Sequence, residues 1–264
     1  MTQPEKTTSD TYRKQYFTDF VDRWDQLIDW DQRARGEGEF FVHQLRARGV
    51  RTVLDVATGT GFHSVSLLRA GFQVTSVDGA PEMLRRAIRN SRERNCELRP
   101  RCADWRGLAR DVRERFDAVV CLGNSFTHLF CEIDRRRVLH EYYRVLNESG
   151  ILVLDQRNYD AMIEHGYRSS HKLYYAGRGV SVGPEVLEPD LTVFKYEFPD
   201  GATFRLNMYP LRRIQVERLI REAGFLSVET YGDFDSEFNP DEAEFLVHIA
   251  EKRPGMLRTR CRGN

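Results

Sequence analysis

From Arg51 onward, short apolar runs alternate with amphipathic stretches. "RTVLDVA" (51–57), "QVTSVD" (73–78), "CELRPRCAD" (96–104), "RFDAVVCLG" (115–123) and "SGILVLD" (149–155) have the length and texture of buried strands. Between them lie helical segments. "GFHSVSLLRAG" is closed by Gly71, and "APEMLRRAIRN" carries Pro81 in its first turn. "DRRRVLHEYYRVLNESG" lines Val138, Tyr142, Val145 and Leu146 along one face, with Gly150 beyond its end. Strands alternating with helices predict an α/β, doubly wound, mostly parallel sheet. Such sheets bind ligands at the carboxyl ends of their strands. The loops after Val56, Val77, Ala103, Cys121 and Leu154 should therefore share one rim.

The flanks read differently. Residues 1–11 are polar and are expected to be disordered. Tyr16, Phe20, Trp24, Leu27, Phe40 and Phe41 recur at helical spacing, which predicts one or two helices over 12–45 with "RARGEGE" as a break. This aromatic stripe suits either a core face or a lid over a ligand. After Asn158 the texture becomes aromatic and β-branched, and "FPDGATF" is a hairpin turn, so a small antiparallel β insertion is expected over about 167–210. "RRIQVERLIREAGF" returns to helix, then "LSVETYGDF" and "EAEFLVHIAEK" complete seven main strands. The expectation is one domain over 12–250, followed by a flexible basic tail at 251–264.

Forty basic and forty acidic residues cancel, with a pI near 7.1, so charge gives no support to a nucleic-acid partner. No stretch approaches the roughly 18 apolar residues of a membrane helix, and "MTQPEKTTSD" lacks the apolar core of a signal peptide. Cys96, Cys102, Cys121, Cys131 and Cys261 form no CxxC pair, which suggests reduced thiols and a cytoplasmic location. The seven histidines show no metal-type spacing, so no metal is expected. Patterning leaves monomer and homo-oligomer both open.

The stretch "VLDVATGTGFHSVSLLRAGFQVTSVD" carries the first specific chemistry. Gly59 and Gly61 let the backbone approach a ligand closely, and the helix beginning near Gly61 offers free N–H groups. Asp78, ending the second strand, can accept both hydroxyls of a ribose. A dinucleotide or a nucleoside-linked amino acid could use this arrangement. The register of Asp55, Ala57, Gly59 and Gly61 does not fit GxGxxG. It resembles the acid-x-Gly-x-Gly-x-Gly signature of class I S-adenosylmethionine-dependent methyltransferases, with Ala57 in the first glycine slot.

"VLDVATGTG", "GFQVTSVD", "ADW", "FDAVVCLGNSFTHL", "DQRNYD", "KLYY" and "FRLNMYP" resemble, in order, blocks of the glycine N-methyltransferases and the bacterial glycine/sarcosine N-methyltransferases. The resemblance spans about Tyr16 to Ile249 and implies a Rossmann-like fold with an N-terminal helical lid. It implies S-adenosylmethionine as methyl donor and S-adenosylhomocysteine as product. Carried over by position, it gives Tyr16, Trp24, Arg35, Ala57, Gly59, Asp78, Asp104, Trp105, Leu122 and His128 to the cofactor. Arg35 requires a one-residue shift to match. Asn124, Arg157, Tyr175 and Tyr196 would form the amino-acid pocket, and Asn124, Arg157 and Tyr196 would carry catalysis. Met208 stands where the animal members have tyrosine. The implied substrates are glycine and sarcosine, with N,N-dimethylglycine as second product on the way to betaine, an osmolyte. A glycine-only enzyme controlling the cofactor ratio, another small-amine methyltransferase and a non-catalytic cofactor-binding module are the alternatives.

Chemistry agrees with this assignment. Methyl transfer needs positioning and a suitable field more than covalent help. Arg157 follows an apolar strand and can take a carboxylate in a bidentate pair. The alternative for Arg157 is a salt bridge to Asp155 or Asp160. Tyr196 and Asn124 can orient a neutral amine, so no dedicated general base is expected. His128 is the rival for that role, against a satisfied structural histidine.

Overall fold

The computed structural model describes residues 7–169, 177 and 179–253. Its main sheet contains β1 (Thr52–Asp55), β2 (Gln73–Asp78), β3 (Pro100–Cys102), β4 (Phe116–Cys121), β5 (Leu146–Arg157), β9 (Ser227–Gly232) and β10 (Phe245–Glu251). β6 (Ser181–Leu187), β7 (Thr192–Glu197) and β8 (Thr203–Met208) form a second, antiparallel sheet. The main sheet runs β3-β2-β1-β4-β5-β10-β9. The first five strands are mutually parallel, and β10 is antiparallel to both of its neighbours. The expected α/β class, seven strands and antiparallel insertion are all present.

Alternation explains why the strands read as continuous apolar runs. Leu54, Val119 and Leu152 enter one core with helices Glu132–Val145 and Arg213–Glu222. Val53, Val120 and Val153 enter the other, with helices Phe40–Ala47 and Phe62–Arg69. Successive side chains point to opposite faces, and both faces are covered. A third cluster unites Phe20, Leu27 and Ile28 with Tyr159, Phe194, Tyr196, Leu206 and Met208. The N-terminal segment and the insertion thus share a core. The β7–β8 hairpin turns through Gly201 at φ 87°, as "FPDGATF" predicts.

Five expectations are corrected. The N-terminal segment forms five short helices: Tyr12–Gln15, Thr18–Asp22, Trp24–Leu27, Trp30–Glu37 and Phe40–Ala47. The helix Trp30–Glu37 runs through most of "RARGEGE". Asp29 caps it by accepting from Asp31 N and Gln32 N, and Arg33 reaches Glu37 one turn on, which offsets Gly36; Gly38 ends it. β3 is shorter than expected because it lies at the edge and starts with a proline that cannot donate. Residues 7–11 are packed rather than loose: Cys131 N donates to Ser9 Oγ (3.3 Å), and Asn207 Nδ2 to Thr7 Oγ1 (3.0 Å). Lys252, expected in the tail, is buried and donates to the carbonyls of Tyr143 (3.2 Å) and Leu146 (2.9 Å). Among the described residues no helix is long and apolar enough to cross a membrane.

At Gly61, in the loop that follows β1, backbone shape constrains sequence. Its φ is 101°, and an added Cβ would lie 3.3 Å from Ala87 on the helix Pro81–Glu93. Gly61→Ala should therefore lose about 1–2 kcal/mol of stability from the left-handed conformation alone. Denaturant unfolding checks this; an unchanged midpoint would contradict it.

Candidate active site

The strand ends line one cavity, and the sheet order arranges its chemistry. Asp104 follows β3 and Asp78 ends β2. Ala57, Thr58, Gly59 and Thr60 follow β1, Leu122 to Ser125 follow β4, and Asp155 and Arg157 close β5. Neighbouring strands lie about 4.8 Å apart, so four steps from β3 to β5 spread these groups over about 19 Å. The N-terminal helices and the β6–β8 sheet supply the facing wall, with Tyr16, Trp24, Phe194, Tyr196, Leu206 and Met208.

At the β2 end, Asp78 accepts from the backbone N–H groups of Gly59 and Ala80, each at 2.8 Å. Burial nevertheless pushes its pKa up to about 6, and the nearby Asp55 carboxylate adds to the rise. Gly59 and Gly61 adopt φ of 55° and 101°, and Gly61 caps the helix Phe62–Arg69. Ala57 lines the cavity between them and β1. Trp105 lies beside this loop and donates from Nε1 to Val56 O at 2.5 Å.

Asp104 behaves differently from the expectation for an adenine contact. Its carboxylate accepts from Arg106 N (2.9 Å), Nε (3.0 Å) and Nη2 (2.7 Å), and from Arg13 Nη2 (2.8 Å). Four donors use the four acceptor positions of a carboxylate. The same Arg106 binds Asp10, and these bonds hold the carboxylate pKa down to about 2. In this arrangement Asp104 anchors the N-terminal strap.

Tyr16 and Trp24 line the cavity with their rings 5.4 Å apart, whereas Phe20 is fully buried in the core behind them. The stripe divides between the two readings open to it. Tyr16 Oη lies 2.9 Å from His128 Nε2. Burial holds the His128 pKa down to about 4, so its imidazole is neutral near pH 7 and weakly basic. This is the environment of a satisfied structural histidine.

Arg35 is exposed and does not line the cavity; Arg33, two residues earlier, does. Arg33 Nε donates to Glu37 Oε1 at 2.6 Å, and Glu37 Oε2 lies 3.0 Å from His63 Nε2. Burial would raise the Glu37 pKa, but His63 and Arg33 together bring it down to about 2. Arg33, Glu37 and His63 all face the cavity, and sequence reasoning named none of them as functional. The available signal was the spacing of Arg33 and Glu37 by one helical turn.

At the β4–β5 end, Asn124 takes a left-handed conformation (φ 61°) and its N–H bonds Asp155 Oδ1 at 2.7 Å. Its carboxamide accepts from Arg157 N (3.0 Å) and donates to Tyr159 Oη (2.9 Å). Leu122, two residues before Asn124, is 2 % exposed. The Arg157 guanidinium sits 4.7, 5.2 and 5.6 Å from the rings of Phe194, Phe245 and Tyr167. Asp160 serves Arg212 Nη1 (3.1 Å) and Arg213 N (2.8 Å) instead. Tyr196 is buried on β7 and lines the same end. Tyr175 lies outside the described residues. Glu164, His165 and Asp241 form a surface group of potential metal ligands, and none of them lines the cavity.

Residues 53–150 match the model of a methyltransferase domain. The fold superposes on a S-adenosylmethionine-dependent methyltransferase from Clostridium acetobutylicum with TM-score 0.70, at 17 % identity over 89 % of this chain and 98 % of that one. The sheet order and glycine loop together define a class I methyltransferase. Curated relatives narrow this. The glycine/sarcosine N-methyltransferase of Halorhodospira halochloris is 54 % identical over 92 % of this chain and 91 % of its own length. That of Aphanothece halophytica is 50 % identical over 94 % of each. The glycine N-methyltransferase of Homo sapiens is 40 % identical over 86 % of this chain and 89 % of its own. The chain belongs to the glycine/sarcosine N-methyltransferase family.

Asp78 yields a test that needs no ligand. Its folded pKa of about 6 lies above the ordinary 3.8, so the fold favours the protonated form. The charged group therefore opposes folding increasingly as pH rises from about 4 through about 6, and the penalty vanishes below that window. Asp78→Asn should raise the Tm of the protein alone at about pH 8, with the gain shrinking toward about pH 4. An equal gain at both pH values would contradict it.

Proposed function

We propose that this chain transfers a methyl group from S-adenosylmethionine to glycine, giving sarcosine, and to sarcosine, giving N,N-dimethylglycine. The product would serve betaine synthesis in the cytoplasm. The observation that carries this reading is Arg157: a buried guanidinium at the end of β5, bracketed by aromatic rings, next to Asn124 and Tyr196. A low-dielectric cation with a forked face suits the carboxylate of a small amino acid.

The cavity residues fit the methyl donor. After two backbone bonds the Asp78 carboxylate still has acceptor positions for ribose hydroxyls. Gly59 presents no Cβ, and Trp105 offers a flat surface beyond Asp78 for a base. Arg33, held by Glu37, is the cation suited to an amino-acid carboxylate on the donor. Leu122 and Ala57 pack its apolar middle. When bound, S-adenosylmethionine supplies an electrophilic methyl on a sulfonium.

The protein's part is then positional. Arg157 anchors the acceptor carboxylate, and Tyr196 and Asn124 orient its nitrogen. The reactive nitrogen must be neutral, so the ammonium proton leaves before attack. His128, weakly basic and bonded to Tyr16, is poorly matched to remove it. Tyr16 and Trp24 close the site against water, which strengthens its electrostatics.

Removing the cation tests the reading. Arg157→Ala should weaken glycine binding to the S-adenosylhomocysteine-loaded enzyme by about 2–4 kcal/mol, roughly 30- to 1,000-fold. S-Adenosylhomocysteine affinity should stay within roughly 3-fold, under about 1 kcal/mol. Titration calorimetry measures both. Unchanged glycine affinity, or equal loss of both ligands, would contradict the assignment.

A further inference from the structure

The walls at the acceptor end are chemically unequal. Arg157, Asn124 and Tyr196 bring polar groups, whereas β8 brings Leu206 and Met208. Two bonds fix where Met208 stands. Tyr209 N donates to Thr127 O at 2.8 Å, tying the end of β8 to the turn that follows Asn124. Thr127 Oγ1 lies 2.6 Å from Asn124 O and 3.2 Å from Met208 Sδ, so one hydroxyl separates the thioether from the asparagine backbone. Two residues earlier on β8, Leu206 pairs with Phe194, whose ring lies 4.7 Å from the Arg157 guanidinium. Met208 is 4 % exposed and lines the cavity together with Leu206.

A neutral primary amine presents two N–H groups, and a secondary amine one N–H and one methyl. A polar wall that bonds the second N–H is left unsatisfied when a methyl replaces it, and an unsatisfied buried polar group is costly. A thioether makes no such demand. It is a weak acceptor on a flexible stem that fills irregular space.

We propose that Met208 sets the site's tolerance for a secondary amine: the N-methyl group of sarcosine packs on its side chain. This inference rests on the reading of the site as one for glycine and sarcosine. Met208 is then the specificity-determining residue for the second methylation, acting through the shape and polarity of the wall beside the nitrogen.

The test is a competition assay. Isotopically distinct glycine and sarcosine are offered together to wild type, Met208→Leu, Met208→Gln and Met208→Tyr, and products are resolved by mass. The ratio of the two kcat/KM values is internal to each sample, so partial loss of folded protein does not move it. Leucine keeps the wall apolar and should hold the sarcosine-to-glycine ratio within roughly 3-fold of wild type. Glutamine, similar in size but polar, and tyrosine, larger and polar, should each lower it by about 10-fold or more. An unchanged ratio in the glutamine and tyrosine variants, or an equal fall in the leucine variant, would overturn the inference. Failure of the wild-type enzyme to methylate either amine would overturn the functional reading instead, and the two failures are distinct.

Discussion

Five parallel strands hold their carboxyl ends level, and everything chemical in this protein depends on that constraint. Residues separated by up to about a hundred positions, from Ala57 to Arg157, meet along one rim because β1, β2, β4 and β5 pair in register. The hydrogen bond from Arg157 N to the Asn124 carboxamide then joins the β4 loop to the last residue of β5. Asn124 is in the left-handed conformation, and Asp155 accepts its N–H. One backbone kink, bonded to one buried carboxylate, thereby links the β4 loop to the end of β5.

Charge is distributed unevenly along the rim. An acceptor-rich carboxylate stands at β2, a clamped arginine faces the cavity from the helix Trp30–Glu37, and a second arginine closes β5. Between them stand Leu122, the uncharged imidazole of His128, the tyrosine hydroxyls and the buried Asp155, which accepts from Asn124 N. The cost falls on stability, since Asp78 is held in surroundings that oppose its ionisation.

Much of this was legible in the sequence, for identifiable reasons. Strands covered on both faces read as apolar runs, so β1, β2, β4 and β5 stood out, and their order placed Asp78, Asn124 and Arg157 on the rim. Pairings remote in sequence were not legible. The strap bonds of Thr7, Ser9 and Asp10 join polar residues to partners near positions 106, 131 and 207, and nothing local marks them. Arg35 came from the resemblance only through a one-residue shift of register, and it is Arg33, on the same helix, that lines the cavity and bonds Glu37. Asp104 was read by analogy with an adenine contact, but Arg13 and Arg106 occupy its oxygens. Lys252 looked like tail because a buried lysine bonded to backbone carbonyls has no sequence signature.

The most direct measurement is a crystal structure of the complex with S-adenosylhomocysteine and sarcosine. The expected result has both ribose hydroxyls on Asp78, the sarcosine carboxylate in a two-bond pair with Arg157, and its nitrogen directed at the cofactor sulfur. A guanidinium turned away from the acceptor, or a ribose bound elsewhere than at the end of β2, would contradict it.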